Sequence, residues 1–408
     1  WKVRERVSKK AENILIEVSD KADFSKCIWK KQGTNLDCTG EKVGVRVEPY
    51  TRYYCRVTVT GDAGDQGCGT TFFGKGKTAW VGKFISTAEE DKFHPVFEKN
   101  FQVKSLTGAQ EAVIRNGMSE KTASEKAISE DSALGNAAVE NEMGIQKARL
   151  YVTGLGVYEA YINGKKAGED ILAPFCNDYR EKIQYQTYDV TDHLLIGQEN
   201  QISIYCGNGW YKGRLGYEGA SQCYGTRFAA IVELHIWYQD GSETVVATDE
   251  TWTYRGSDIE MSDLYDGEVL NRQLWKEKEN TAKPVRLIEK DQGTLMGEIS
   301  LTSSQLTERY SLPVKVKETL TVQEIIHTQA GEIVLDMGQN MVGFVEFDSN
   351  LPAGTKVILD FGEVLQQGNF YNDNYRTAKA RYEYISDGRR EKVRPHFTFF
   401  GFRYVRVT

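Results

Sequence analysis

A chain of 408 residues exceeds one compact core, and at about 150 residues per domain it divides into two to four domains. Its net charge of -7 excludes the concentrated basic stripe of a nucleic-acid surface, and no apolar run nears the roughly 20 residues that span a bilayer. Twenty-two Tyr and 17 Phe against 7 Pro fit pleated surfaces, and flat rings with polar edges also suit the apolar faces of sugars.

The first segment, 1–85, reads as short strands. Ile14–Val18 alternates, and so does Tyr54–Thr60, where Tyr54, Arg56, Thr58 and Thr60 face away from Cys55, Val57 and Val59. With turn-rich stretches between, about seven strands would fit a fibronectin- or immunoglobulin-like sandwich. A second domain is expected over 86–300, opening on a strand at 93–103. It carries an insertion at 105–144, rich in Ser, Ala, Glu and Asn, with one short surface helix expected near 107–115. Strands resume at 149–153, 156–162, 182–188, 200–206, 228–238 and 243–248. Asn163-Gly164 and Asp240-Gly241 each sit between alternating runs as hairpin turns. No βαβ alternation appears, so the sheets are expected to be antiparallel and of jelly-roll type. Charged residues around 276–290 read as a linker. The third domain, 301–408, is expected to hold strands at 314–322, 332–335, 343–347, 356–361, 380–384 and 402–407.

The seven cysteines form an odd set with no CxxC and no metal-ligand spacing, which reads as free thiols in a reducing compartment. No secretory segment stands at Trp1, so a cytoplasmic location is the expectation, with secretion the alternative if the native start lies upstream.

The chemistry-bearing residues are sparse. His94, His193, His235, His327 and His396 are scattered, and no nucleophile elbow, zincin, phosphate loop or dinucleotide fingerprint is present. His396 reads as a structural histidine near a sheet edge, and the run Arg389, Arg390, Lys392, Arg394 as a solvated strand end. Asp263-Leu-Tyr-Asp266-Gly-Glu268 has a calcium or sugar-hydroxyl reading and a plainer one as a polar turn; it lacks calcium-loop spacing, which favours the turn. The best binding motif is Gly207-Asn208-Gly209-Trp210-Tyr211-Lys212-Gly213. Its glycines would let backbone and ring approach a ligand while Asn208 bonds hydroxyls, or they would anchor a buried Trp; at this point both readings stand.

From Ala148 onward the sequence resembles the amino-terminal domains of bacterial α-L-rhamnosidases, glycoside hydrolase family 78. The resemblance rests on 149–164 (RLYVTGLGVYEAYING), 185–191 (YQTYDVT) with the GNGWY loop, and then 334–344 (VLDMGQNMVGF), 361–365 (FGEVL) and 396–405 (HFTFFGFRYV). It covers about two-thirds of the chain; the first 85 residues match only in strand count and in 80–85. The resemblance implies three consecutive antiparallel β-sandwich domains, fibronectin-like, jelly roll and concanavalin-like, in an all-β chain. It also implies catalysis on an (α/α)6 barrel after these domains, where one carboxylic acid protonates the leaving oxygen and a second carboxylate activates water, with inversion. The barrel's acidic signature is not found, so no catalytic residue is assigned and the chain alone is expected to be inactive.

Some relatives use the middle jelly roll as a calcium-dependent rhamnose-binding module. Here Asn177-Asp178-Tyr179 is followed by Arg180-Glu181, and Asn271 stands where an acidic residue is expected, so no metal ligand is assigned and no cofactor is expected, with calcium kept as the alternative. The sugar-binding candidates are Asn208, Trp210, Tyr211, Asp178 and Asn177. The expected partners are a rhamnose-containing oligosaccharide or glycoside and the catalytic domain, which the chain would brace; no nucleic acid or membrane is expected. A free-standing rhamnose-binding module and a non-catalytic multi-sandwich adhesin are the alternatives. The adhesin predicts internal repeats, and none is seen.

Overall fold

In the computed structural model, residues 7–37, 40–48, 51–74, 76–77, 79–88, 93–105, 144–216, 218–275 and 281–408 are described. The insertion, including the expected helix near 107–115, lies almost wholly outside them. The chain divides into two compact units, Trp1–Trp80 and Val81–Thr408.

In the first unit the alternation works as the sequence predicts. Ala11–Ser19 lies between Cys27–Gly33 and Arg52–Gly61, and Gln66–Gly74 adds the fourth strand, all antiparallel. Ile14, Ile16 and Val59 form the buried core with Cys55, Val57, Trp29 and Leu36 packed on it. On the opposite face Arg56 donates to Glu17 at 2.8 Å. Among the described residues this is one four-stranded sheet, not the seven-stranded sandwich expected.

The second unit opens with two facing sheets. In spatial order, one holds Arg286–Leu287, Ile85–Ser86, Ala229–Tyr238, Ile145–Leu155, Ile183–Asp189 and Leu306–Glu308. The other holds Lys283–Pro284, Thr253–Gly256, Pro95–Gln102, Glu199–Gly207, Val157–Ile162 and Lys165–Lys166. Their inward residues, among them Phe97, Leu150, Val152, Ile202, Ile204, Ile236 and Trp252, make the larger core. Asn163 and Gly164 have φ of 51° and 75°, the left-handed pair that a two-residue hairpin requires. Residues 283–287, expected within a linker, instead supply two edge strands, and Val285 and Ile288 beside them are buried.

A seven-stranded sheet follows, ordered Ile259–Asp263, Gly267–Asn271, Arg381–Ile385, Lys356–Gly362, Phe400–Val407, Ile333–Gly343 and Glu324–His327. Its apolar face (Phe361, Tyr382, Tyr384, Phe400, Phe402, Val405) packs with Val157 and Leu172 of the middle sandwich in a second core. The fold is all-β, but the line expected at 300 is not where the sheets divide. The hairpin 259–271 belongs to the C-terminal sheet, and Leu306–Glu308 belongs to a middle one. Both crossings create parallel pairs, Ile183–Tyr185 with Leu306–Glu308 and Gly267–Asn271 with Arg381–Ile385, in sheets expected to be wholly antiparallel. They form because each strand returns to its sheet from a distant stretch of chain rather than through a hairpin.

The segment 314–322 is not a strand. Its alternation is real, but among the described residues no partner strand lies beside it; the Val314 carbonyl accepts from Ile171 N–H, and 315–322 makes no backbone-to-backbone bond there, its Thr321 carbonyl accepting only from the Gln323 side chain. Leu312, Val316 and Tyr310 are left 88%, 58% and 70% exposed.

Candidate functional site

Strand Glu199–Gly207 delivers the chain into one helical turn, Gly209–Lys212. The glycines on either side answer to packing. A Cβ on Gly207 would lie 2.4 Å from the Phe397 ring, and Gly209, at φ 50°, sits against Gly156 and Val157. The turn therefore closes on neighbouring protein, which is why the glycine pattern recurs there.

The turn separates the candidates. Tyr211 is fully buried, and its hydroxyl donates to Asp291 Oδ2 at 3.0 Å; burial and then Asp291 push that hydroxyl well up from its usual range. Asn177 is 5% exposed, its amide donating to Phe175 O and accepting from Gln184 Nε2, both at 2.8 Å. These two, expected to meet sugar, have no polar atom to spare and brace the loop from within. Asn208 and Trp210 are half-buried, and the Asn208 N–H donates to Ser262 Oγ. Asp178 is exposed and held by both arms of Arg180, at 2.9 and 2.7 Å; that bond keeps its carboxyl below the ordinary range.

The ring that meets Trp210 is one the sequence did not mark. Phe175 stands 5.3 Å from Trp210, centroid to centroid, and is 39% exposed. Its φ is 82°, and Leu172 three residues earlier is at 54°. Positive φ in bulky residues is strained backbone, held only where the surroundings over-determine it, and such strain clusters at binding sites. Phe175 and Trp210 together form a partly exposed aromatic pair in this loop region.

A second concentration of chemistry lies where the middle sandwich meets the C-terminal sheet. Glu159, on strand Val157–Ile162, is 2% exposed and accepts from Tyr161 Oη (2.6 Å), Lys166 Nζ (2.8 Å), Arg394 Nη2 (2.9 Å) and His396 Nδ1 (2.8 Å). Burial alone would raise its carboxyl, but His396, Arg394 and Lys166 outweigh that and hold it well below the usual range. Glu268, also buried, accepts backbone N–H groups of His396 and Phe397 at 2.7–3.0 Å, and burial leaves its carboxyl raised. Arg394 is thus no solvated strand end: a buried carboxylate draws it inward. These two glutamates are covered and occupied, so they fasten two sheets rather than face a substrate.

The acidic turn 263–268 is likewise satisfied from within. Asp263 accepts the N–H groups of Arg214, Tyr265 and Asp266, and Asp266 pairs with Arg214 at 3.3 Å. Among the described residues no three His, Cys, Asp or Glu side chains converge as a metal would need. With Asp178 bound by Arg180 and Asn177 turned inward, the residues present do not fit a calcium ion.

A family model described as the alpha-L-rhamnosidase N-terminal domain matches residues 143–318, and one described as the bacterial alpha-L-rhamnosidase concanavalin-like domain matches 326–408. The chain is 37% identical over 266 residues to an alpha-L-rhamnosidase of Streptomyces avermitilis, covering 65% of this chain and 25% of that protein. It is 33% identical over 272 residues to one from an Alteromonas species, covering 65% and 29%. The matched stretch therefore spans between a quarter and three tenths of these relatives. Two crystal structures share the fold: an Aspergillus terreus alfa-L-rhamnosidase (TM-score 0.72, 24% identity, 98% of this chain and 43% of that one) and the Streptomyces avermitilis enzyme complexed with L-rhamnose (0.68, 23%, 98% and 52%).

Proposed function

This chain belongs to the bacterial α-L-rhamnosidases, whose amino-terminal and concanavalin-like domains it carries in tandem, and we propose that it is the accessory part of an enzyme removing terminal α-L-rhamnose with inversion. The tandem order of the two domains is the observation that carries this reading. Cleavage needs an acid and a base set either side of the sugar bond. Among the described residues the buried pair, Glu159 and Glu268, is fully engaged in structure, so the reacting carboxylates belong to a further domain.

In this reading the chain braces that domain. Exposed apolar side chains on the C-terminal sheet (Ile325 at 60%, Ile333 at 44%, Val342 at 75%) and the row Tyr310, Leu312 and Val316 support it, because so much uncovered apolar surface is what a packed neighbour would hide. The test is release of an aryl group from an aryl α-L-rhamnoside. The 408-residue chain turns over none, whereas a longer protein that includes the following domain does; turnover by the chain itself overturns the assignment.

A second role is favoured by the Phe175–Trp210 pair: recognition of a rhamnose-bearing glycoside by the middle sandwich. Calorimetric titration with L-rhamnose, with and without calcium, tests it. Saturable binding that calcium does not change is the expected result, and a flat titration leaves the bracing role alone.

A further inference from the structure

The sheet of the first unit ends in two unlike edges. Cys27–Gly33 and Gln66–Gly74 are its outer strands, and among the described residues each pairs on one side only. A bare edge is a template for another strand, and proteins guard it with lysine, proline or a bulge. Cys27–Gly33 is guarded: Lys30 and Lys31 are exposed on it, and its register with the neighbouring strand skips Ile28. Gln66–Gly74 (QGCGTTFFG) carries no charge and no proline, and its nine residues run in unbroken register with the strand beside it. Two contacts hold its aromatic end in place. The Arg52 guanidinium lies 4.6 Å from the centroid of Phe72, and Tyr53 stacks on Phe73 at 5.7 Å. Even so, Phe72 is 50% exposed.

The strand is also its own complement. In an antiparallel pair, opposite residues share a face and a hydrogen-bonding class, so a strand that pairs with its copy turns about a residue, not between two. Thr70 is the midpoint of the nine. Turned about it, Thr70 meets Thr70, Cys68 meets Phe72, Gly67 meets Phe73 and Gly69 meets Thr71. Every residue from Gln66 to Gly74 then has a partner, whereas turning about Gly69 or Thr71 leaves two residues of each strand unpaired. Small residues at one end lie opposite rings at the other, which covers the bare backbone of glycine, and a Thr–Thr pair sits on the axis. We propose that Gln66–Gly74 is a self-association edge, through which two copies of this chain join their first-unit sheets, antiparallel about Thr70, into one continuous sheet. A single strand pair buries less than the roughly 1,200 Å² of a standard interface, so the dimer forms and parts with concentration.

Sedimentation velocity of the 408-residue chain over an about hundredfold range of concentration tests this. The expected result is a shift from one copy toward two as concentration rises. Thr70→Lys abolishes it, because like charges meet on the axis, and Gln32→Lys on the guarded edge leaves it unchanged. Thr70 and Gln32 are both exposed, so neither change disturbs the interior, and equal unfolding midpoints check that. Cross-linking in a Cys68→Ser background reads the register. Under diamide, Thr70→Cys gives several times more covalent dimer than Thr71→Cys, because only a residue on the axis faces its own copy at disulfide distance. A single copy at every concentration overturns the proposal. A dimer that survives Thr70→Lys, or is lost in Gln32→Lys, overturns the choice of edge. Cross-linking as strong at position 71 as at position 70 overturns the register.

Discussion

Glu159 shows how one side chain can hold two sheets. Its four donors come from its own sandwich (Tyr161, Lys166) and from the loop before the last strand (Arg394, His396). Breaking a buried pair strands the remaining charges, so Glu159→Ala is expected to cost about 3–5 kcal/mol, read as a lowered unfolding midpoint in denaturant. The pH dependence follows from the depressed carboxyl. Its stabilising contribution is whole above the ordinary glutamate value of 4.5 and drains away as pH falls toward the folded-state value. Glu268, raised by burial, works in the opposite direction: its contribution is greatest in acid and fades as pH climbs through its folded value. From pH 3 to 4.5 the unfolding midpoint of the unmodified chain should therefore rise more steeply than that of Glu159→Ala, and above 4.5 the gap between the two should stay constant. Tyr211→Phe removes the bond to Asp291 and should cost about 1.5–3 kcal/mol with no change in rhamnose affinity.

These residues also mark where sequence reading stops. Trp210 stood out because glycines flank it, yet those glycines answer to Phe397 and Val157, contacts that only the folded chain creates. Phe175 gave no signal, since strain at φ 82° is invisible in composition. Glu159 is one acid in an alternating strand, and two of its donors lie more than 230 positions away.

At the scale of elements, periodicity located several strands that have two neighbours, but it missed Thr253–Gly256 and Gly267–Asn271, and 343–347, expected as a strand, leaves its sheet after Gly343. Tyr54–Thr60, Gly156–Ile162 and Phe228–Tyr238 fall within a residue or two of observed strands, because alternation there reflects burial on one or both faces. It misled at 314–322, where the same pattern has no partner strand. Amide hydrogen exchange tests that difference: 315–322 should exchange within seconds while Ile333–Leu335, bonded on both sides, stays protected. In a longer protein whose next domain covers this stretch, the same amides should slow; unchanged exchange there would argue against bracing. Gly207→Ala probes the junction from the other side. The added methyl meets the Phe397 ring, and a loss of roughly 1–3 kcal/mol is expected in the same denaturant assay.

For the whole molecule, Val81–Thr408 has its own cores and internal contacts, so a chain beginning at Val81 should fold and melt cooperatively without the first 80 residues. Glu233 secures that new start by accepting the N–H groups of Val81 and Gly82 at 2.6 and 2.8 Å. The all-β class and the order of blocks were legible because they follow from local patterns. The division between blocks was not, because sheet membership depends on pairings between stretches far apart. The two crossings at 259–271 and 306–308 have a consequence for shuffling such proteins. A chimera joined at residue 300 would leave each half holding a strand that belongs in the other's sheet, so the middle and C-terminal sandwiches are inherited as one cassette and should be swapped between relatives only as a pair.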